Sequence, residues 1–284
     1  MGSGDPMTRP WDRSADPARR LAGRVALVTG AGAGTDLVGI GVAMAVLFAA
    51  QGARVGVVDI SAERADRTRG LISAAGGECV VAIGDLTQPA ENARCVHEVA
   101  DAFGRLDVLV NSAAIAGGAG SPVDLDLDAW NATMAINLTA AVLAAKHAIP
   151  HLREAGGGSI VNIASIAGTH AFGSGAYAAS KAALIGLTRD WAYLHGREGI
   201  RVNCLVVGHA YTPMGASGGE TWRDRRLRAS FLGTEGTAWD VAWPAVFLAS
   251  DESQWITGAA IPVDAGTTAA TALAIETLNE RFPL

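Results

Sequence analysis

Tyr177 and Lys181 stand four residues apart in YAASK, a spacing that puts both side chains on one face of a helix. A phenol with its ordinary pKa near ~10 is a poor base at neutral pH. An ammonium one helical turn away stabilises the phenolate, so the pair can give and take a proton. Ser165 lies upstream, at the end of the apolar run GSIVNIAS, where its hydroxyl can face a substrate oxygen. Alone, Tyr-x-x-x-Lys is more often a solvated helix pair. A strand that ends in serine just before it gives the pair chemical meaning.

A second chemistry-bearing stretch is TGAGAGTDLVGIG at 29–41. A glycine turn between a strand and a helix lets the backbone approach a pyrophosphate, and the helix N-terminus then meets the anion with free N–H groups. Two registers compete. Counting forward from the strand gives Gly30, Gly32 and Gly34; counting back from the helix end at Gln51 and Gly52 gives Gly39, Ile40 and Gly41. Asp59 ends the next strand about 20 residues beyond the second set, the spacing of a ribose-binding acid. The split register is therefore expected: Gly30 makes the turn, Gly39 and Gly41 open the helix, and 34–38 is extra loop. That loop carries Asp36 and is expected to bulge over the adenosine or pyrophosphate. The competing reading is a surface turn without a ligand, and Asp59 weighs against it.

Asp59 also bears on the cofactor. A carboxylate accepts from the 2′- and 3′-hydroxyls of NAD and repels the 2′-phosphate of NADP. No Arg or Lys occurs between Gly30 and Gly41, and Ser61 is available to cap the following helix, so NAD is the expected cofactor.

These groups must be held by larger elements. RVALVT, ARVGVVD, CVVAIGD, LDVLVN, GSIVNIAS, IRVNCLVV and AAIPVD read as strands. Helical patterns at 41–51, 62–74, 89–103, 129–154 and 176–196 separate most of them. Near-continuous apolar strands alternating with helices imply one parallel sheet covered on both faces. Ser61, Asp128 and Thr237 are the expected N-caps, the last with Asp240 at N3. Pro244 falls inside the last of these helices, where it removes a hydrogen bond. The expected organisation is an N-terminal arm over 1–20, a single doubly wound α/β domain over 21–266 and a C-terminal tail over 267–284.

The ordered set of the first glycine turn, Asp59, GDL (84–86), NSAA (111–114), INL (136–138), Ser165, YAASK, TPM (212–214) and VDAG (263–266) resembles the short-chain dehydrogenase/reductase family over 21–266. The resemblance implies a Rossmann fold with a seven-stranded parallel sheet. It makes Tyr177 the acid/base, Lys181 the ribose ligand that lowers the Tyr177 pKa, and Ser165 the group that orients the substrate carbonyl or hydroxyl. Asn137 would hold a water that relays the proton from Lys181. Asp85 and Leu86 would border the adenine, Ile60 and Ala113 would join the cofactor contacts, Asn111 would support the central strand, and Gly208 and Thr212 would lie at the nicotinamide carboxamide.

The chain departs from the family pattern where Ser112 and Ala114 replace Asn and Gly, where Val207 takes a proline position ahead of Gly208 and His209, and where Ala265 replaces Gly. For the substrate, His170, Phe172, His209 and Trp222 are the pocket candidates. His209 either touches substrate or replaces the lost turn constraint with a hydrogen bond, and the second is the expectation. His170 has a competing reading as loop surface. The arginines of TWRDRRLR (221–228) could bind a carboxylate or an acyl-carrier phosphate, but Glu220, Asp224 and Glu235 nearby favour a solvated helix face. Trp222 and Phe231 are the expected apolar contacts of a moving lid.

Bulk properties narrow the rest. A net charge of −6 provides no footprint for nucleic acid or an anionic membrane. The three cysteines, Cys79, Cys95 and Cys204, are unevenly spaced and read as reduced thiols of a cytoplasmic protein, with no metal site. The uncharged run 37–53 is near the lower length of a membrane span, but it lies between two strands and reads as a buried helix. Residues 1–6 resemble an expression-tag remnant ahead of Met7, and the arm has no apolar segment of a secretory signal. The 176–196 helix is apolar almost all round (Ala178, Leu184, Ile185, Leu187, Trp191), so one side is expected to meet a second subunit in a homodimer or homotetramer. The expectation is an NAD(H)-dependent interconversion of a secondary alcohol and a ketone. A 3-oxoacyl-thioester reductase and an inactive nucleotide-binding regulator are the alternatives.

Overall fold

All five residues of strand β1 (Val25–Thr29) are buried, as befits a strand with helices over both faces of its sheet. The computed structural model of the chain describes residues 19–34, 37–118, 120–216 and 219–283. Chain order continues with α1 (Ile40–Ala50), β2 (Arg54–Asp59), α2 (Ala62–Ala74), β3 (Glu78–Ile83), α3 (Pro89–Phe103), β4 (Val108–Asn111), α4 (Leu127–Met134), α5 (Ala140–Glu154) and β5 (Gly158–Ser165). It ends with α6 (Gly175–His195), β6 (Ile200–Val207), β7 (Ala210–Tyr211), α7 (Gly219–Arg228), β8 (Gly236–Thr237), α8 (Ala238–Ala249), β9 (Ala260–Val263) and α9 (Ala272–Arg281).

Seven strands form one sheet in the order β3-β2-β1-β4-β5-β6-β9, every neighbouring pair parallel. The seven runs read as strands are these seven. One core packs α1, α2 and α8 on a face of the sheet, with Met44, Phe48, Ile72 and Val246 at its centre. The other packs α3, α5 and α6 on the opposite face, through Val99, Ala144 and Trp191. Strand order reverses between β1 and β4, so the loops after these two strands diverge and open a crevice at their carboxyl ends.

Ser61 caps α2, accepting from the Arg64 N–H, and Thr237 forms a capping box with Asp240 at the start of α8, both as the sequence suggests. The fourth helix differs. Asp126, not Asp128, is its N-cap, accepting from the N–H groups of Asp128 and Ala129 at 2.9 and 3.2 Å. Asp128 sits in the first turn, where a carboxylate still favours the helix dipole. The expected continuous helix is also interrupted by a π-turn over Ala135–Thr139. Pro244 lies within α8.

Outside the sheet, α7 and the short β7–β8 pair form a lid over the crevice. The tail carries α9, tied to the lid by Asn279 Nδ2 donating to the Arg228 carbonyl at 3.0 Å. Most of the 1–20 arm lies outside the described residues; at its end Arg20 pairs with Glu252, Nε to Oε1 2.7 Å.

Candidate active site

The glycine string resolves into two pieces with different duties. Gly30 has φ +65°, and a Cβ there would sit 2.6 Å from the Cα of Ala113. Glycine is therefore needed both for the left-handed turn and for the close approach of the loop after β4. Gly41, at the start of α1, lies so close to the Gly30 carbonyl that a Cβ would be 2.4 Å from its oxygen. The 31–33 segment is stitched to α2: the Ala33 N–H donates to the Arg64 carbonyl at 2.9 Å and Thr68 Oγ1 donates to the Ala31 carbonyl at 2.6 Å.

Helix α1 starts at Ile40, and its N-cap Gly39 supplies no side-chain cap, so the first-turn N–H groups stay available to an anion. Gly34, Leu37 and Val38 are non-helical, as the split register requires, but they are not part of the cleft wall. Asp36 lies outside the described residues.

The crevice is a single cleft of about 920 Å³. At one end Asp59 is 7% exposed and accepts three hydrogen bonds: Gly32 N–H at 2.9 Å, Ser61 N–H at 3.0 Å and Arg64 Nη2 at 2.8 Å. Gly32, a member of the forward register set aside in the sequence, lines the cleft, as does Arg64, which sequence reasoning did not single out. Arg64 lies five residues beyond Asp59, outside the 30–41 stretch that is free of Arg and Lys. Ile60, Asp85, Leu86, Ala113, Gly208 and Thr212 all line the same cleft. Asp85 accepts from Thr87 N–H and Oγ1, which holds its carboxyl below the ordinary value.

Asn111 is the exception among the expected cofactor residues. It is buried and absent from the wall, with Nδ2 donating to Asn162 Oδ1 at 2.9 Å to tie β4 to β5. The inward alternation at the end of β4 turns its side chain into the sheet's polar ladder, which is the strand support the resemblance implied.

Ser165, Tyr177 and Lys181 meet on the cleft wall. A hydrogen bond from Ser165 opposes the larger effect of burial, which pushes the Tyr177 phenol up. Lys181 Nζ lies 5.5 Å from the Tyr177 ring centre and donates to the Ile163 carbonyl at 2.8 Å; burial lowers its ammonium to about 8. Asn137 sits in the π-turn, with Oδ1 accepting from Ile115 N–H at 2.8 Å and Nδ2 donating to the Ile115 carbonyl at 2.9 Å and Ser180 Oγ at 3.2 Å. Its side chain thus joins the loop after β4 to α6, the helix that carries Tyr177 and Lys181.

Three of the four pocket candidates, Phe172, His209 and Trp222, line the cleft; His170 does not. His170 is exposed, with Nδ1 bonded to Thr169 Oγ1 at 2.9 Å. The His209 ring contributes no turn bond; it packs on Phe172 with centroids 5.9 Å apart, and burial followed by the Arg226 charge lowers its pKa.

The solvated reading of 221–228 fails at Arg226, which is 9% exposed and lines the cleft beside Trp222, one turn away on α7. Its Nε donates to Glu235 Oε1 at 2.5 Å, while Arg223 Nε takes Oε2 at 2.8 Å. Phe231 is not in the cleft wall; it packs under Gly266, where a Cβ would lie 2.4 Å from Phe231 Cδ2. The substituted Ala265 beside it has φ +52°, alone among the described non-glycine residues in the left-handed region.

An uncapped helix terminus over a glycine turn, an acid at the end of β2 and a Ser–Tyr–Lys set farther along the same cleft together fit a dinucleotide and a proton-transfer centre. That fold and site define a nicotinamide-dependent oxidoreductase acting on CH–OH groups. The family model described as enoyl-(acyl carrier protein) reductase matches residues 34–268. The chain is 37% identical over 250 residues to 2,5-dichloro-2,5-cyclohexadiene-1,4-diol dehydrogenase of Sphingobium indicum, covering 88% of this chain and 98% of that one. It is 38% identical over 268 residues to D-threitol dehydrogenase of Mycolicibacterium smegmatis, covering 92% and 99%. A solved short-chain dehydrogenase/reductase of Burkholderia xenovorans superposes with TM-score 0.84 at 39% identity, covering 89% and 100%. The chain belongs to the short-chain dehydrogenase/reductase family.

Proposed function

We propose that the protein is an NAD(H)-linked dehydrogenase that interconverts a secondary alcohol and a ketone. The observation that carries this reading is the Ser165–Tyr177–Lys181 set on the wall of the cleft that ends at Asp59. When bound, the nicotinamide supplies the hydride acceptor or donor. Asp59 holds the ribose hydroxyls at the adenosine end, the N-terminus of α1 receives the pyrophosphate, and Asp85 and Leu86 border the adenine. Lys181 and Thr212 hold the nicotinamide half.

Ser165 positions the substrate oxygen, and Tyr177 Oη takes the hydroxyl proton during oxidation or returns it during reduction. The Lys181 charge lowers the cost of the phenolate against the burial that opposes it. A water at Asn137 links this proton to solvent. The relatives named above act on a cyclic diol and a tetritol by their names, which supports a secondary-alcohol substrate. Phe172 and Trp222 supply apolar wall to it. We also propose a cytoplasmic homodimer or homotetramer, in keeping with three unpaired cysteines.

The test is a panel of secondary alcohols and ketones followed by reduced-nicotinamide absorbance with both cofactors. Turnover with NAD that Tyr177→Phe abolishes is expected; an unchanged Tyr177→Phe enzyme would overturn the assignment. Similarity to 3-oxoacyl-[acyl-carrier-protein] reductase of Thermotoga maritima, 36% identical over 248 residues, favours one second reading, reduction of a 3-oxoacyl thioester. Faster turnover of such a thioester with NADPH than of any free alcohol with NAD would select it.

A further inference from the structure

The lid places an unusual amount of unspent hydrogen-bonding capacity against the substrate end of the cleft. Glu235, with a side chain only 4% exposed, is shared by Arg223 and Arg226. Two guanidinium groups and one carboxylate leave a net charge of about one positive unit in this cluster, of which Glu235 and Arg226 are buried while Arg223 faces solvent. Arg223 is further occupied by the ring of Tyr211, 4.1 Å below its guanidinium carbon. Arg226 is not. It gives only Nε to Glu235, and its Nη2 is buried without a hydrogen-bond partner. Among the described residues nothing accepts from its Nη1 either.

A buried guanidinium nitrogen without an acceptor is costly, and Arg226, which carries it, lines the ligand cleft, where an acceptor on a ligand would relieve it. Nη1 and Nη2 together are the planar fork that receives a carboxylate through two parallel hydrogen bonds. The neighbouring charges allow an anion there. Asp264, the other acid near His209, is taken up by Gly266 N–H, Thr268 N–H and Thr268 Oγ1. The His209 ring, tilted against Phe172, is a further polar group on the same cleft wall.

We propose that Arg226 anchors a carboxylate of the substrate, so that the enzyme acts on hydroxy acids or keto acids whose acid group reaches the lid while the carbinol lies at Tyr177. This rests on the dehydrogenase reading for the carbinol end, but the anchor itself is a binding site and can be tested without turnover. The single net charge matches a carboxylate better than a dianionic phosphate, and the apolar surfaces of Phe172 and Trp222 suit the carbon skeleton between the two ends.

The test measures equilibrium binding, by calorimetry and by tryptophan fluorescence, of acid and amide pairs: butyrate and butyramide, cyclohexanecarboxylate and its amide, benzoate and benzamide. It is run with and without NADH. At least one acid is expected to bind about 10- to 100-fold more tightly than its amide. Arg226→Met should erase that preference and leave NADH affinity unchanged. Arg226→Lys keeps the charge and the Glu235 pairing but loses the fork, so it should retain part of the preference. Thermal melting identifies a variant that fails to fold, in which case Arg226→Lys and the wild-type acid-to-amide ratio carry the test.

A panel in which no acid outbinds its amide would overturn the proposal. So would a preference that survives Arg226→Met, or Arg226-dependent binding of 4′-phosphopantetheine in place of every carboxylate. Acid binding that depends on Arg226 without oxidation of any hydroxy acid would leave the anchor standing and count against the dehydrogenase reading alone.

Discussion

Lys181 is held with its ammonium lowered from 10.5 to about 8 by burial. Between these values the unfolded chain binds more protons than the folded one, so folding stability rises with pH across that window. Below it the folded state bears a penalty of about 3 kcal/mol, offset in part by the bond to Ile163. Lys181→Met is therefore expected to abolish turnover without loss of stability at about pH 7, and its advantage over the wild type should shrink by about pH 9.5; denaturant titrations at the two values check this. Asp59→Ala removes the proposed ribose acceptor and frees Arg64, now 2.8 Å from that carboxylate, at the same end of the cleft. NAD affinity should fall by about tenfold or more while NADP affinity rises, as read from binding of the two reduced cofactors. Ala265→Gly relaxes a left-handed alanine at φ +52° and should raise stability by about 1 kcal/mol in a thermal melt. Tyr177, Lys181, Ser165 and Asp59 were legible in the sequence because their chemistry is tied to residue type and to a strand end or a helical repeat. Arg64 and Arg226 were not. The importance of Arg64 comes from a side chain folding back on Asp59, and Arg226 is buried only because Glu235 returns to α7 through a loop that has no periodic signal.

At the scale of elements, legibility followed burial on regular repeats. The helices at 62–74 and 89–103 were read with the bounds they have, because a serine cap or an N-terminal proline marks their start. The strands were readable from uninterrupted β-branched runs. The π-turn was invisible, since its extra backbone residue leaves no mark on composition, yet it is where Asn137 turns to hold Ile115 and Ser180. π-Turns recur at functional sites because they re-aim a side chain without ending the helix. The lid helix α7 was legible as helical but not for its buried face. Gly41 shows how closely two elements depend on each other here. A Cβ would meet the Gly30 carbonyl oxygen at 2.4 Å and its carbon at 3.0 Å, both backbone atoms that cannot rotate away. Gly41→Ala should shift α1 off the turn, lower stability by about 1–3 kcal/mol and weaken dinucleotide binding more than it changes the Tyr177 chemistry. Melting and NADH fluorescence separate the two effects.

At the scale of the whole molecule, large apolar side chains remain uncovered on two separate faces. Trp239 and Trp243 lie one turn apart on α8, 38% and 48% exposed, and Trp255, in the turn leading to β9, is 94% exposed. On α6, Tyr193 and Leu194 are 85% and 55% exposed, on the same helix that offers Tyr177 and Lys181 to the cleft. Exposed aromatics in such number mark surfaces that bury against protein, and two distinct faces suit an assembly with two kinds of two-fold contact. Of the apolar α6 side chains, Leu184, Ile185 and Trp191 are buried within the chain itself, and the exposed pair lies at the end of the helix; the tryptophans of α8 do not announce themselves, because half of that helix is core. If both faces are interfaces, Trp243→Glu and Tyr193→Glu should each reduce the particle mass measured by light scattering to about half that of the wild type, and the pair together to that of a single chain. A wild-type mass of one chain would remove both faces from consideration. The Tyr193 substitution should also lower turnover, because α6 carries Tyr177, the proposed acid/base, and loses the packing that holds it still. The Trp243 substitution acts on a helix that lines none of the cleft and should leave kcat in place.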